Sequence, residues 1–176
     1  MKIFLVRHAE VQKEYLGCYN GHIDISLSED GKASAKELAD SLKDIKFDKI
    51  FCSDLKRARE TLDAFELKED VIFTTRLREK SWGKDEGKSF SEIERDGIKY
   101  INFEQWIDAL DGEDMQTYIK NAVDYFNETI LKTDAKNILV VTHAGFIRAI
   151  LSYQKEITLE ETFKIKVPYG SYIKVI

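Results

Sequence analysis

The chain has 176 residues, a net charge of −5, 43% apolar residues and 34% charged residues. That length fits one domain, residues 1–176, and the apolar share excludes a disordered chain. The mild acidic balance excludes a nucleic-acid groove, which needs a basic surplus or stripe.

No apolar run in the chain reaches the length of a signal peptide or a membrane span, so the cytoplasm is the expected location and no membrane partner is expected. Cys18 and Cys52 are the two cysteines. They are too few for a disulfide framework and read as reduced thiols.

The first element is the apolar run KIFLV, residues 2–6, which reads as a buried strand and leads straight into Arg7 and His8. Residues 28–45 place Leu38, Leu42 and Ile45 on one helical face. DKIFCS, residues 48–53, is a second strand, followed by a helical pattern over 53–65 with Leu55, Ala58, Leu62 and Phe65. DVIFTT, residues 70–75, is a weaker strand. Residues 80–113 break the pattern: they are polar, glycine-rich and carry Trp82 and Trp106. They read as a lid-like excursion over the sheet or as a loop whose aromatics cover the core.

A helix over 114–132 carries Tyr118, Ala122, Tyr125, Phe126 and Ile130. KNILVVTH, residues 136–143, is the fourth strand, and a short helix over 145–153 follows it. The tail, residues 161–176, reads as two strands meeting at PYGS, a hairpin on the sheet edge. Strands alternating with helices predict an α/β fold: a three-layer α-β-α sandwich whose mostly parallel sheet has an antiparallel edge strand.

In open α/β sheets, ligands bind beyond the carboxyl ends of the strands. Here those ends carry Arg7-His8, then Ser53 with Arg57 and Arg59 in the next helix, then Arg76, Arg78 and Glu79, then His143-Ala144-Gly145. Arginine forks match phosphate oxygens bidentately. A helix starting near Gly145 turns free N–H groups toward an anion. A neutral imidazole can attack phosphorus, and a nearby carboxyl can protonate the departing oxygen.

Each residue also has an ordinary structural reading. A histidine after a strand is often only a hydrogen-bonded wall residue, and arginines on a helix are often solvated. His8, His22 and His143 are also potential metal ligands. They show neither paired helical spacing nor an HExxH pattern.

Six segments in order resemble one family. LVRHAE resembles the strand–RHG motif of the histidine phosphatase superfamily, the phosphoglycerate mutase-like proteins. YNGHIDISLSEDGKASA, CSDLKRARETL, LREKSWGKDEG, LDGEDMQTY and VVTHAGFIRAIL resemble its later motifs. The resemblance implies His8 as the nucleophile and Arg7 and Arg57 as phosphoryl ligands. It implies that His143 donates to the phosphoryl group and that Glu79 is the proton donor and then the base. Tyr19, Gly21, His22 and Ala144 fall on its phosphate- or substrate-binding positions.

It implies no metal and no cofactor, with a small phosphorylated metabolite as substrate. Short phosphatases fit best, because the long basic insert of the mutases is missing and Glu79 is present. Residues 7–22 resemble the pattern of α-ribazole phosphatases. The competing expectations are mutase-type transfer and a non-catalytic phosphate-binding protein. The chain departs from the family pattern at Ala9, Val11, Glu14, Asp85 and Ala144, so these positions bear on substrate and activity. The sequence gives no signal for an oligomeric state.

Overall fold

The computed structural model describes residues 1–176. Four apolar runs form parallel strands: β1 (Lys2–Arg7), β2 (Lys49–Ser53), β3 (Val71–Thr74) and β4 (Asn137–Thr142). A fifth, β5 (Tyr172–Val175), runs antiparallel to β1 at the edge. The order across the sheet is β3-β2-β4-β1-β5. The helices in chain order are α1 (Glu29–Leu42), α2 (Lys56–Asp63), α3 (Phe90–Arg95), α4 (Phe103–Ala109), α5 (Met115–Tyr125), α6 (Ala144–Lys155) and α7 (Leu159–Thr162). A π-helical turn, Phe126–Ile130, extends α5.

Alternation along the central strands builds two cores. Ile3 and Leu5 of β1 face Phe126, Phe146 and Ile150, beside α5 and α6. Phe4 and Val6 face the other way, onto Leu38 and Leu42 of α1 and Ala58 and Leu62 of α2. The sheet is therefore the middle of three layers, as the alternation predicts.

Pairing register fixes what meets at the carboxyl edge. Arg7 of β1 lies opposite Thr142 of β4, and the His8 N–H continues the ladder to the Thr142 carbonyl at 3.0 Å. Cys52 of β2 lies opposite Val141. His8, His143 and Ser53, each one step beyond, are neighbours because three parallel strands end level.

The tail departs from the expected hairpin, forming a single strand after an irregular segment. Thr158 and Glu161 close a capping box that starts α7. The segment that follows is tied to the sheet edge by other bonds. Arg7 Nη1 donates to the Val167 carbonyl at 2.7 Å, and the Gly170 N–H donates to the His8 carbonyl at 3.1 Å. Those bonds hold the 167–170 backbone against β1's end, where it cannot pair as a strand.

The excursion over 80–113 holds α3 and α4 and a small core of its own, formed by Trp82, Ile93, Trp106, Ile107 and Leu110. Glu86 anchors its base, because one carboxylate oxygen accepts from the His22 N–H, the Ser81 hydroxyl and the Trp82 N–H. Gly21 has φ +47°, and a Cβ there would lie 2.3 Å from that oxygen, so a side chain would both strain the backbone and displace Glu86.

Candidate active site

His8 is 6% exposed, and its Nδ1 lies 2.8 Å from the Ala9 carbonyl. A carbonyl only accepts, so Nδ1 carries the proton and Nε2 keeps its lone pair. Burial holds the His8 pKa well below its ordinary value, and Arg57 and Arg7 push it further down. The ring is therefore a neutral imidazole with a bare nitrogen, the state nucleophilic attack requires.

His143 is fully buried, with its ring centroid 5.1 Å from that of His8. Its Nε2 lies 2.8 Å from Ser53 Oγ. Ser53 Oγ also accepts from the Leu55 N–H at 3.4 Å, and its hydroxyl can serve either tautomer of His143. Its Nδ1 is buried and has no protein partner. Burial, followed by Arg57 and His8, holds the His143 pKa well below its ordinary value.

Two arginines flank the histidines. Arg57, 1% exposed, donates Nη1 to the Ile23 carbonyl at 2.8 Å and Nη2 to the Gly21 carbonyl at 2.7 Å. Arg7 lies over Tyr169, with Cζ 3.8 Å from the ring centre. Both leave a buried Nε without a partner. Burial lowers each guanidinium's pKa, and nearby Glu79 opposes the shift.

Glu79 accepts from the Gly145 N–H at 3.0 Å and the Lys80 N–H at 3.0 Å. The Gly145 N–H at the start of α6, expected to face an anionic ligand, is thus spent on Glu79. A Cβ at Gly145 would lie 1.9 Å from that carboxylate.

Arg7, His8, Arg57, Glu79, Tyr19, Gly21 and Ala144 line one cavity. His143 sits behind it, against His8. His22 is not among the lining residues: its Nε2 donates to the Glu79 carbonyl at 2.9 Å, on the far side. It braces the backbone that carries the carboxylate. No cluster of three or more His, Cys, Asp or Glu side chains is placed to hold a metal ion.

Three contributors escaped the sequence reading. Ser53, at the end of β2, pairs with the His143 Nε2. Glu86 sits in the KDEG segment and ties the 80–113 excursion to Gly21-His22. Tyr169, read as part of an edge turn, backs Arg7 and lies 5.5 Å from the His8 ring centre. Only the tail's return to β1's end reveals it.

The departures from the family pattern are absorbed locally. Ala9 and Ala144 have no positive φ, so a methyl is accommodated. Ala9 is buried against Leu27 and Ala35. Val11 is buried and bridges Leu27. Glu14 is exposed and does not line the cavity. Asp85 is buried, accepting from Lys88 Nζ and the Asp111 N–H.

The buried histidines predict a pH dependence of stability. Unfolded imidazoles bind a proton below about pH 6.5, and these folded ones do not until well below that. The unfolded state therefore binds more protons as pH falls. Stability is full above about pH 6.5 and drops by up to about 1.4 kcal/mol per pH unit for each ring below it. Denaturant titrations from pH 7.5 to 5 check this, and His8→Asn should flatten the slope. A slope unchanged in that variant would show that the His8 ring protonates as freely in the native state as in the unfolded one.

The site is an electropositive cleft with a bare imidazole nitrogen, two arginines and a carboxyl on one small volume, and His143 behind them. Such a cleft suits an anionic ester that yields its phosphoryl group to nitrogen.

Comparison with known proteins agrees. The family model described as histidine phosphatase superfamily (branch 1) matches residues 3–176. A probable phosphatase of Schizosaccharomyces pombe is 30% identical over 161 residues, covering 89% of this chain and 74% of the relative. The adenosylcobalamin/α-ribazole phosphatase of Salmonella typhimurium is 26% identical over 180 residues, covering 98% of this chain and 88% of the relative. The crystal structure of the α-ribazole phosphatase from Shigella flexneri has the same fold, with a TM-score of 0.87 at 23% identity, covering 100% of this chain and 90% of that one. The chain belongs to the histidine phosphatase superfamily, branch 1.

Proposed function

We propose that the chain hydrolyses a small phosphomonoester through a phosphohistidine at His8, with α-ribazole 5′-phosphate as the candidate substrate. The observation that carries the reaction is the His8 tautomer: Nδ1–H is bound to the Ala9 carbonyl, so Nε2 is free to attack. The Nε2 lone pair forms the P–N bond as the P–O bond to the alcohol breaks. Glu79, entering protonated, gives its proton to the departing oxygen. The resulting carboxylate then takes a proton from water as that water attacks phosphorus. The P–N bond breaks, His8 returns neutral and inorganic phosphate leaves. Arg7, Arg57 and His143 stabilise the phosphoryl charge in both steps.

Support for the substrate is coarser. It consists of the resemblance of residues 7–22 to the α-ribazole phosphatase pattern and the Salmonella relative that spans nearly the whole chain. No helix is long and apolar enough to cross a membrane, and the cytoplasm is the proposed setting. The test is phosphate release from a panel containing α-ribazole 5′-phosphate, phosphoserine and 3-phosphoglycerate. α-Ribazole 5′-phosphate should lead the panel, and a substrate of another kind with clearly higher kcat/KM would replace it. Rapid isomerisation of 3-phosphoglycerate with a 2,3-bisphosphoglycerate primer would move the chain to mutase chemistry.

The acid role makes a narrower prediction. Glu79→Gln should slow alkyl phosphates by about 10²–10⁴-fold and p-nitrophenyl phosphate far less, because nitrophenolate needs little protonation to leave. Steady-state rates on both substrates check it. Equal losses would remove Glu79 from proton transfer.

A further inference from the structure

The turn between Val167 and Ser171 wraps the end of β1. Arg7 meets it three times. Its N–H donates to the Ser171 carbonyl at 2.9 Å, its Nη1 donates to the Val167 carbonyl at 2.7 Å, and its Cζ lies 3.8 Å from the Tyr169 ring centre. His8 adds a fourth tie, because its carbonyl accepts from the Gly170 N–H at 3.1 Å. The turn is also braced internally. Pro168 fixes a backbone angle, the Ser171 hydroxyl donates to the Pro168 carbonyl at 2.7 Å, and Gly170 supplies the positive φ of +59°. Backbone bonds on either side of Tyr169 thus set where its ring lies.

A long arginine stem loses rotamer freedom when a ligand fixes it, and less when the protein has fixed it beforehand. The Val167 carbonyl restrains Arg7 by taking one guanidinium N–H. A ring attracts the cation through its π face, without an acceptor atom. Tyr169 can therefore restrain Arg7 while leaving other N–H groups for phosphoryl oxygens, among them the buried Nε, which has no protein partner. The same ring lies 5.5 Å from the His8 ring centre and lines the cavity. Two routes to the reaction are open to it: through Arg7, or by touching the alcohol that leaves. The Arg7 contact is the shorter one.

We infer that Tyr169 is a positioning residue: its ring holds the Arg7 guanidinium in the pose that meets the phosphoryl group, and its effect on catalysis passes through Arg7. This rests on the reading that the phosphoryl group is bound between Arg7 and His8. Methylphosphonate carries an anionic phosphorus head and no alcohol, so its binding, read by calorimetry, isolates the Arg7 route. Tyr169→Leu should weaken it about fivefold or more, the scale of one partly buried cation–ring contact. Tyr169→Phe keeps the ring face and should stay within about twofold of wild type. Arg7→Met keeps the stem and removes the guanidinium. In that background Tyr169→Leu should matter less than about twofold, since both substitutions remove the same contact. The kcat/KM for p-nitrophenyl phosphate should follow the same pattern.

Tyr169 is half-buried, so its variants should fold. Circular dichroism checks this, and Tyr169→Met replaces a leucine variant that does not. Equal losses from Tyr169→Leu in the wild-type and Arg7→Met backgrounds would overturn the inference. So would a Tyr169→Phe loss as large as the leucine one. Unchanged methylphosphonate affinity beside a fall in kcat/KM would overturn it too, and would put the ring against the leaving alcohol. The expected binding pattern with no phosphate release from any ester would support the positioning role and overturn the hydrolytic reading instead.

Discussion

His8→Ala abolishes turnover, with p-nitrophenyl phosphate hydrolysis falling by about 10⁴-fold or more, because the acceptor of the phosphoryl group is gone. The good leaving group does not rescue the variant, since the lost step is attack and not protonation. The fold survives, because the strand that delivers the residue is held by Ile3 to Val6, all buried, and not by the imidazole. Circular dichroism and thermal melts on the same sample confirm that survival. Within tenfold of wild-type activity, the variant would show that water attacks directly and that the motif is only a binding cradle. A wild-type protein inactive on every phosphomonoester would favour the non-catalytic alternative.

Arg57→Ala should lower kcat/KM by about 10³-fold, the scale of losing a preorganised donor in a buried anionic site. It should also lower stability. The guanidinium spans two carbonyls, Gly21 and Ile23, and charge-assisted bonds of this kind contribute about 1.5–3 kcal/mol each. Arg57→Lys separates the effects. Lysine restores the charge without the planar fork, so stability should recover partly while kcat/KM stays at least about tenfold low. Full recovery of rate with lysine would show that Arg57 acts as a point charge. A near-normal rate in Arg57→Ala would remove it from the phosphoryl site.

Much of this architecture was legible in the sequence because its determinants are local. KIFLV and KNILVVTH are continuous apolar runs, which only a strand buried on both faces requires. Once such strands are parallel, their polar ends must share an edge, and Arg7, His8 and His143 follow. The motif order added Arg57 and Glu79, which composition alone leaves as surface charges. The unread parts are set by long-range contacts.

The alternating residues of TFKIKV look like a strand, yet the run leaves the end of α7 and its last carbonyl, Val167, is held by Arg7. Tyr169 reaches the site only because β5 returns along β1. The His22 ring looked like a phosphate ligand, but it turns to the Glu79 carbonyl and leaves Gly21 to line the cavity. Trp82 and Trp106 stand out in the sequence of the 80–113 excursion, but that both line the cavity depends on how α3 and α4 pack in their own small core.

The most direct test of the central claim is rapid-quench labelling of wild-type protein with a ³²P-phosphomonoester. The account predicts label on the protein within the first turnover, stable in alkali and lost in acid, carried by the peptide containing His8 and chased into inorganic phosphate. Steady hydrolysis with no protein-bound label at any time, or acid-stable label on another residue, would contradict it.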